Sequence, residues 1–423
     1  MIGVCKTKVS SNRYGRRNRQ LGVAMPLVVI GLVAMLAIAG LAMDGSHAFV
    51  NKTRLHNMAD VAALAAAKVY DDTADTIAGT AAANSVFGIN TDGSGNFEID
   101  GAYDAGDITV IVQWSPTLNP FTPSGIGPYV RVIATGFNMA TGLSAVIGIT
   151  TIDIRASAVA GPSPTIDNTV CNIAPLVVCA NDINADYFGF NQADLMVLKP
   201  SPGVHGDVGP GNFKLLDLGC DDVGGGACVR NNMAGDYDAC ATANSTVETE
   251  PGVTAGPTSQ GFNTRFGVYN GPISPGDYPP DLVVHQISPP LETDESDDNV
   301  VIYNGQTVTT ATEITGFDYS EYLSRNANPG QHDFLAPVGV KGRRVLTMPV
   351  ADCTGDDNGQ STLEINGFAC YFMLQQIAGG TDKNIFGQFV DKCAASGAPG
   401  MDPGAGPGPY IIQLYKDPDS GDS

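Results

Sequence analysis

An uncharged apolar segment near the N-terminus constrains this chain more than any other feature of its sequence. Residues 21–43 (LGVAMPLVVIGLVAMLAIAGLAM) contain no charged side chain. As an α-helix, a segment of this length is about 35 Å long, which is enough to cross a hydrocarbon core of about 30 Å. Pro26 falls near its start, where a missing backbone N–H costs least. The segment therefore predicts one membrane-spanning helix that anchors the chain in a lipid bilayer.

The charges on either side of this segment predict its orientation. Residues 1–20 contain six Lys or Arg side chains and no acidic residue, and the first acidic residue of the chain is Asp44. Because basic flanks stay in the cytoplasm, we expect a cytoplasmic N-terminus and an ectodomain on the other side of the membrane. The alternative is a cleaved signal peptide, for which residues 37–39 would supply the small-x-small cleavage pattern.

The ectodomain is strongly acidic. All 44 Asp and Glu residues of the chain follow the apolar segment, together with only 16 of the 22 Lys and Arg residues. Such a surface repels phosphate backbones, so we expect no nucleic-acid partner. The sequence also lacks a GxSxG motif, a P-loop and an HExxH motif. We therefore predict that the protein is not an enzyme.

The cysteines indicate an oxidising compartment. Cys5 lies in the basic tail, and an even number of cysteines follows the apolar segment, namely Cys171, Cys179, Cys220, Cys228, Cys240, Cys353, Cys370 and Cys393. In an exported domain these eight residues predict up to four disulfides, and their spacing favours the local pairs Cys171–Cys179 and Cys220–Cys228. Since no CxxC or HxxxH spacing occurs, we predict no structural metal site.

Helical periodicity continues beyond the membrane segment. Apolar or small residues recur with the spacing of one helix face, at Phe49, Leu55, Met58, Ala59, Ala62, Ala63, Ala66, Ala74, Ile77, Ala78 and Ala81. Alanine is the best helix former and allows close approach of a neighbouring element. We favour burial of this face against the protein's own domain over an intermolecular contact.

These patterns predict an α+β protein. Its parts are a cytoplasmic basic tail (1–20), a transmembrane helix (21–43), a membrane-proximal Ala-rich helix (44–88), a small pilin-like α/β unit (89–160) and a disulfide-bonded β-rich ectodomain with long loops (161–423). The α/β unit has predicted strands at 108–114, 129–135 and 152–160 and a short helix at 139–147. The β-rich part has predicted strands at 175–178, 213–216, 300–303, 344–350, 370–375, 385–390 and 410–415, after a linker at 161–164.

One acidic loop resembles a calcium-binding loop. Asn90, Asp92, Ser94 and Glu98 stand at the first, third, fifth and ninth positions of an EF-hand pattern. The twelfth position, where a bidentate Glu belongs, is Gly101. Calcium is therefore a candidate ligand, and the alternative is an Asp/Gly turn. We expect no other cofactor.

The run AGLAMDGSHAFVNKTRLHNMADVAALAAA at 39–67 resembles the start of the TadE/TadG-like Flp pilus-assembly proteins. The residues that match the family pattern are Asp44, Phe49, Arg54, Leu55, Asn57, Ala59 and Asp60. Weaker similarity to TadG-like ectodomains occurs at 210–219, 247–266 and 342–374.

The resemblance implies a non-enzymatic accessory subunit of the Tad (tight adherence) secretion system, which assembles Flp-type pili. It implies other Tad subunits as partners, the bacterial inner membrane as location and the periplasm as the compartment of the ectodomain. The alternative is a surface adhesin or a minor pilin-like tip subunit. A cut at Gly22 would leave Leu27 where a processed pilin has Glu, so the sequence does not predict pilin processing.

Overall fold

The computed structural model describes residues 24–420, except 94, 167, 200–211, 221–224, 252–254, 295–296, 298, 354–360, 379–383 and 399–407. The predicted basic tail with Cys5, the first residues of the apolar segment and Ser94 lie outside the described residues. The protein is α+β, with a long apolar N-terminal helix and a β-rich C-terminal region. These two features confirm the coarse fold class predicted from the sequence.

A helix of 50 residues, α1 (Ala24–Thr73), forms the axis of the N-terminal part. At 1.5 Å per residue it is about 75 Å long. Large apolar side chains up to Met43 are exposed, whereas the later part of the helix buries one face. Among the described residues, α1 is the one helix that is long and apolar enough to cross a membrane.

The Ala-rich part of α1 packs against the protein's own domain, as the periodicity predicts. Its fully or nearly fully buried residues are Leu55, Met58, Ala59, Ala62, Ala63, Ala66 and Ala67. The predicted single helix over 44–88 is wrong, because the backbone turns at Ala74, which has φ 53°. Asp75 then caps a second helix, α2 (Thr76–Thr91), by accepting a hydrogen bond from the backbone N–H of Ile77 at 2.7 Å.

A four-stranded antiparallel sheet covers these helices. After α3 (Phe97–Asp104) come β1 (Thr109–Ser115), β2 (Tyr129–Ala140) and β3 (Thr151–Pro162), and the fourth strand is β19 (Ile412–Tyr415) from the far end of the chain. The predicted helix over 139–147 is wrong, because β2 pairs with β3 as far as Ala140↔Thr151 and only Ser144–Ile147 forms a 3₁₀ turn. The predicted linker at 161–164 begins as strand, because Gly161 and Pro162 pair with β19.

Two close contacts show which end of the sheet lies at which end of α1. At one end, Gly40 lies so close to Leu143 that a Cβ on Gly40 would be 2.9 Å from the Leu143 Cβ. At the other end, Gly127 packs on the ring of Tyr70, where a Cβ would be 2.5 Å from Cζ. The β2–β3 connection therefore lies at the apolar end of the helix, and the β1–β2 connection lies about 45 Å further along it.

The C-terminal region is built around a seven-stranded sheet. The strands of this region are β4 (Thr169–Cys171), β5 (Val178–Cys179), β6 (Leu195–Lys199), β7 (Asn212–Asp217), β8 (Cys240–Thr242), β9 (Thr246–Pro251), β10 (Glu292–Thr293), β11 (Val301–Tyr303), β12 (Gln306–Val308), β13 (Val345–Ala351), β14 (Thr362–Met373), β15 (Ile385–Val390), β16 (Lys392–Ala394), β17 (Ser396–Ala398) and β18 (Gly408–Tyr410). The main path of the large sheet is β5-β13-β14-β15-β6, with β9 pairing to β14 and β7 pairing to β9. The helices are α4 (Gly225–Ala234), α5 (Ala255–Asn263) and α6 (Tyr319–Ala327), with 3₁₀ turns at Asp186–Gly189, Thr264–Phe266, Ala311–Glu313 and Pro329–Gln331.

Four disulfides cross-link this region. The pairs are Cys171–Cys240, Cys179–Cys353, Cys220–Cys228 and Cys370–Cys393. The short-range pair Cys220–Cys228 agrees with the prediction, whereas the expected pair Cys171–Cys179 is wrong. The reason is strand pairing, since Cys171 on β4 lies opposite Cys240 on β8, and β5 with Cys179 runs parallel to β13, close to Cys353.

A buried arginine connects the loops around the large sheet. The Arg344 side chain is fully buried and donates to the backbone oxygens of Val283 at 3.0 Å and Met373 at 2.9 Å. The neighbouring Asp281 carboxylate accepts from the Arg344 backbone N–H at 3.0 Å and from the Tyr322 hydroxyl at 2.8 Å. Burial lowers the pKa of Arg344 to about 10, so the guanidinium still carries its charge at neutral pH.

Candidate functional site

The candidate site is the base of the N-terminal unit, where α1 leaves the apolar segment. Asp44 is the first charged residue there, and its side chain is mostly buried. Its carboxylate accepts hydrogen bonds from the backbone N–H of Ser144 at 2.7 Å and of Gly142 at 3.1 Å. Asp44 thus holds the β2–β3 connection against the helix, about 100 residues away in sequence.

The next turns of α1 hold the short helix α3. The Glu98 carboxylate accepts a hydrogen bond from the Asn51 amide at 2.7 Å and lies 3.0 Å from the His47 Nε2. The Arg54 guanidinium donates to the backbone oxygen of Gly95. These polar contacts fix the segment that follows α2 to the same side of α1 as the sheet.

The predicted calcium residues are distributed over several elements. Asn90 lies on α2 and donates to the Val86 oxygen at 2.8 Å, Asp92 follows the last residue of α2, and Glu98 faces α1. In the part of the chain that the structure describes, no group of three or more His, Cys, Asp or Glu side chains could hold a metal ion. Calcium binding stays a prediction from the sequence.

The residues of the family pattern divide into two sets. Asp44, Arg54, Leu55 and Ala59 contact or face the protein's own domain, and Asp60 is partly buried. Phe49 and Asn57 are exposed instead, and 72% of the Phe49 surface is open. The first set therefore has a structural role within this chain. Among the contacts that the structure shows, no such role is seen for the exposed set.

Four residues predicted on the buried face are in fact exposed, namely Phe49, Ala74, Ile77 and Ala81. Phe49 points away because Ala48 and Asn51 occupy the sheet-facing side of that turn. Ile77 is 80% exposed, because α2 starts a new helix that buries Gly79 and Ala83 instead. The periodicity thus predicted the buried side correctly from Leu55 to Ala66 and failed at both ends.

The exposed residues form a stripe that we call the outer face of α1. It consists of Phe49, Thr53, Asn57 and Val61, which are four residues apart and exposed. Residues at this spacing lie above one another on the same side of a helix. No member of the outer face is charged, and the stripe begins five residues after Asp44. It therefore offers an uncharged contact surface directly above the apolar segment.

The far end of α1 meets the C-terminal region. The Tyr410 hydroxyl donates a hydrogen bond to the Asp71 carboxylate, and Lys68 lies 3.5 Å from the same carboxylate. Burial raises the pKa of Asp71, and these two partners oppose that shift. A cleft of about 660 Å³ opens beside this contact. Sequence reasoning missed this junction, because nothing in residues 410–415 distinguishes them from a strand of the large sheet.

Comparison with known proteins finds a similarity in the N-terminal part of the chain. Residues 22–69 match the family model described as putative Flp pilus-assembly TadE/G-like. No curated protein and no solved structure matches the chain. The matched residues include the apolar segment from Gly22 onward, Asp44 and the outer face of α1. This match confirms, over residues 22–69, the resemblance to TadE/TadG-like proteins inferred from the sequence.

Proposed function

We propose that this chain is a non-enzymatic accessory subunit for assembling or anchoring a Tad/Flp pilus. Residues 21–43 anchor it as a single-pass protein of the bacterial inner membrane, with the N-terminus in the cytoplasm and the remainder in the periplasm. It acts by contacting other subunits of the pilus machine. The observation that carries this proposal is the exposure of Phe49 and Asn57 within the family-matched segment.

The chemistry of Phe49 supports a protein contact. An aromatic side chain contributes a large apolar area to an interface, and exposed apolar stripes next to polar residues mark interaction sites. Thr53 and Asn57 can form hydrogen bonds across such an interface, whereas a charged residue would have to be desolvated. The proposed partner surface is therefore a helix or groove with apolar and uncharged polar residues.

The arrangement of the N-terminal unit also supports this role. In pilin-like subunits, the first part of the N-terminal helix has no sheet packed on it, and the second part packs along an antiparallel sheet. The helix α1 has this arrangement. In such subunits the unpacked first part of the helix associates with lipid or with neighbouring helices. We therefore propose that residues 44–160 form a pilin-like unit that presents the outer face of α1 to partner subunits, while the disulfide-bonded region 161–423 extends from its far end.

The variant Phe49→Glu tests this contact. We expect it to abolish copurification of other Tad subunits from crosslinked membranes of the native bacterium and to reduce the number of Flp pili. Its thermal unfolding should match that of the wild type, because Phe49 is exposed and makes no core contact. Copurification and pilus counts by electron microscopy are the measurements.

The matched control is Ile77→Glu, which introduces the same charge at an exposed apolar position outside the outer face. We expect normal copurification and piliation for this variant. If Phe49→Glu assembles pili as well as Ile77→Glu does, the outer face is not the contact surface.

A further inference from the structure

A second apolar surface lies beside the apolar segment, on the connection between β2 and β3. Residues 141–149 (TGLSAVIGI) contain no charged side chain. Leu143, Val146, Ile147 and Ile149 are all exposed, with 66% of Val146 open. Connections between strands are usually polar, and a cluster of exposed apolar side chains marks a surface that contacts something other than water.

The position of this connection identifies what it contacts. Leu143 packs on Gly40, and Gly40 lies three residues, or about 4.5 Å, before the end of the apolar segment at Met43. Asp44 fixes the connection at this level through the N–H groups of Gly142 and Ser144. If residues 21–43 span the bilayer, residues 141–149 must lie at the boundary between its headgroups and its acyl chains.

The backbone of the connection is suited to that environment. Unpaired N–H groups are costly in a lipid interior. Here the N–H groups of Thr141, Val146 and Ile149 donate to backbone oxygens within the hairpin, at 3.0, 3.1 and 3.2 Å. The N–H groups of Gly142 and Ser144 donate to Asp44. The turn can therefore present its apolar side chains to lipid without leaving these donors unpaired.

We propose that residues 141–149 insert into the periplasmic interface of the membrane that anchors α1, as a second lipid contact of this chain. This inference rests on the proposed function, because it takes residues 21–43 as membrane-spanning. Amphipathic segments at such interfaces bury their apolar side chains about 5–10 Å deep. Together with the helix, the inserted turn fixes the rotation of α1 about its axis, and with it the direction in which the outer face points.

Tryptophan quenching by brominated lipid tests the insertion. The full chain is reconstituted into phosphatidylcholine vesicles with and without bromine on the acyl chains, as three variants. Val146→Trp probes the β2–β3 connection, and Leu36→Trp probes the anchor. Ile126→Trp is the control, because Ile126 is an exposed apolar residue of the β1–β2 connection, which lies about 45 Å from the β2–β3 connection, measured along α1. The native Trp114 is buried and lies near Tyr70, so it contributes the same background to all three.

We expect brominated lipid to reduce the emission of Leu36→Trp and Val146→Trp and to leave Ile126→Trp unchanged. Bromines near the headgroup should quench Val146→Trp more than bromines near the bilayer centre. If brominated lipid quenches Leu36→Trp but leaves Val146→Trp unchanged, like the control, the insertion is overturned and the membrane anchor stands. A blue-shifted Val146→Trp emission that bromine does not quench would also overturn it, since protein would then cover the turn. Absence of quenching at Leu36→Trp would overturn the anchor itself.

Discussion

Replacing Arg344 by methionine is expected to lower the free energy of unfolding of the C-terminal region by about 3–5 kcal/mol. The side chain is fully buried, and its guanidinium donates to several backbone oxygens. It also lies 4.4 Å from the centre of the Phe266 ring. Methionine would fill part of the volume but would leave those oxygens and the buried Asp281 carboxylate without their positive partner. Urea unfolding of the full chain in detergent measures the loss.

The pH dependence of this loss provides a second readout. Burial raises the pKa of Asp281, and the charge of Arg344 opposes that shift. Without Arg344 the pKa of Asp281 rises further, so the folded variant binds a proton more readily than the folded wild type. The stability difference should therefore be largest at neutral pH and shrink as the pH falls and Asp281 becomes protonated.

The control for Arg344→Met is Lys392→Met, at an exposed position of β16 in the same region. A surface substitution of this kind is expected to change the free energy of unfolding by no more than about 0.5 kcal/mol. Equal stability of the two variants would show that Arg344 does not connect the loops around the large sheet.

Removing the disulfide Cys179–Cys353 is expected to lower the free energy of unfolding by about 5 kcal/mol, and removing Cys220–Cys228 by about 2.5 kcal/mol. Both values follow from the entropy that the unfolded chain loses when the disulfide closes a loop. The two bonds enclose segments of very different length, with sequence separations of 174 and 8 residues. Each pair is replaced by two alanines, and urea unfolding gives the loss. The short-range pair serves as the control for replacing two cysteines by alanines. A smaller loss of unfolding free energy for Cys179–Cys353 than for Cys220–Cys228 would contradict the loop-entropy explanation.

The sequence predicted those parts of the molecule that depend on local patterns. The apolar segment and the buried face from Leu55 to Ala66 follow from hydrophobicity and helical spacing, both of which are properties of neighbouring residues. The strands at 300–303, 344–350 and 385–390 follow from runs of β-branched and apolar residues and match β11, β13 and β15 closely. The strand at 213–216 likewise lies within β7.

The failures concern pairings between distant residues. The turn around Ser144 resembles a helix in sequence, and its actual conformation is set by strand pairing on both sides and by Asp44. The strand predicted over 410–415 is divided between β18 and β19, because its two halves pair with β16 and β3. The partner of Cys171 depends on β8 in the same way. No local pattern contains this information.

The candidate site was predictable in part. The family resemblance singled out Asp44, Phe49 and Asn57, but it did not separate residues that hold the protein's own sheet from residues that remain exposed. That separation needs the rotation of α1 relative to the sheet, which Gly40 and Leu143 show. One usable signal for the turn that we propose to insert was present in the sequence, since residues 141–149 lack charge in a chain that is strongly acidic after residue 43.

Intact mass combined with fractionation of the native protein tests the central claim most directly. The account predicts the mass of the uncleaved chain, recovery in the inner membrane that resists salt and alkaline extraction, and protease access to the ectodomain only after the outer membrane is opened. A mass that begins after residue 22 or 39, with recovery in the soluble periplasm or in sheared pili, would contradict an anchored assembly subunit.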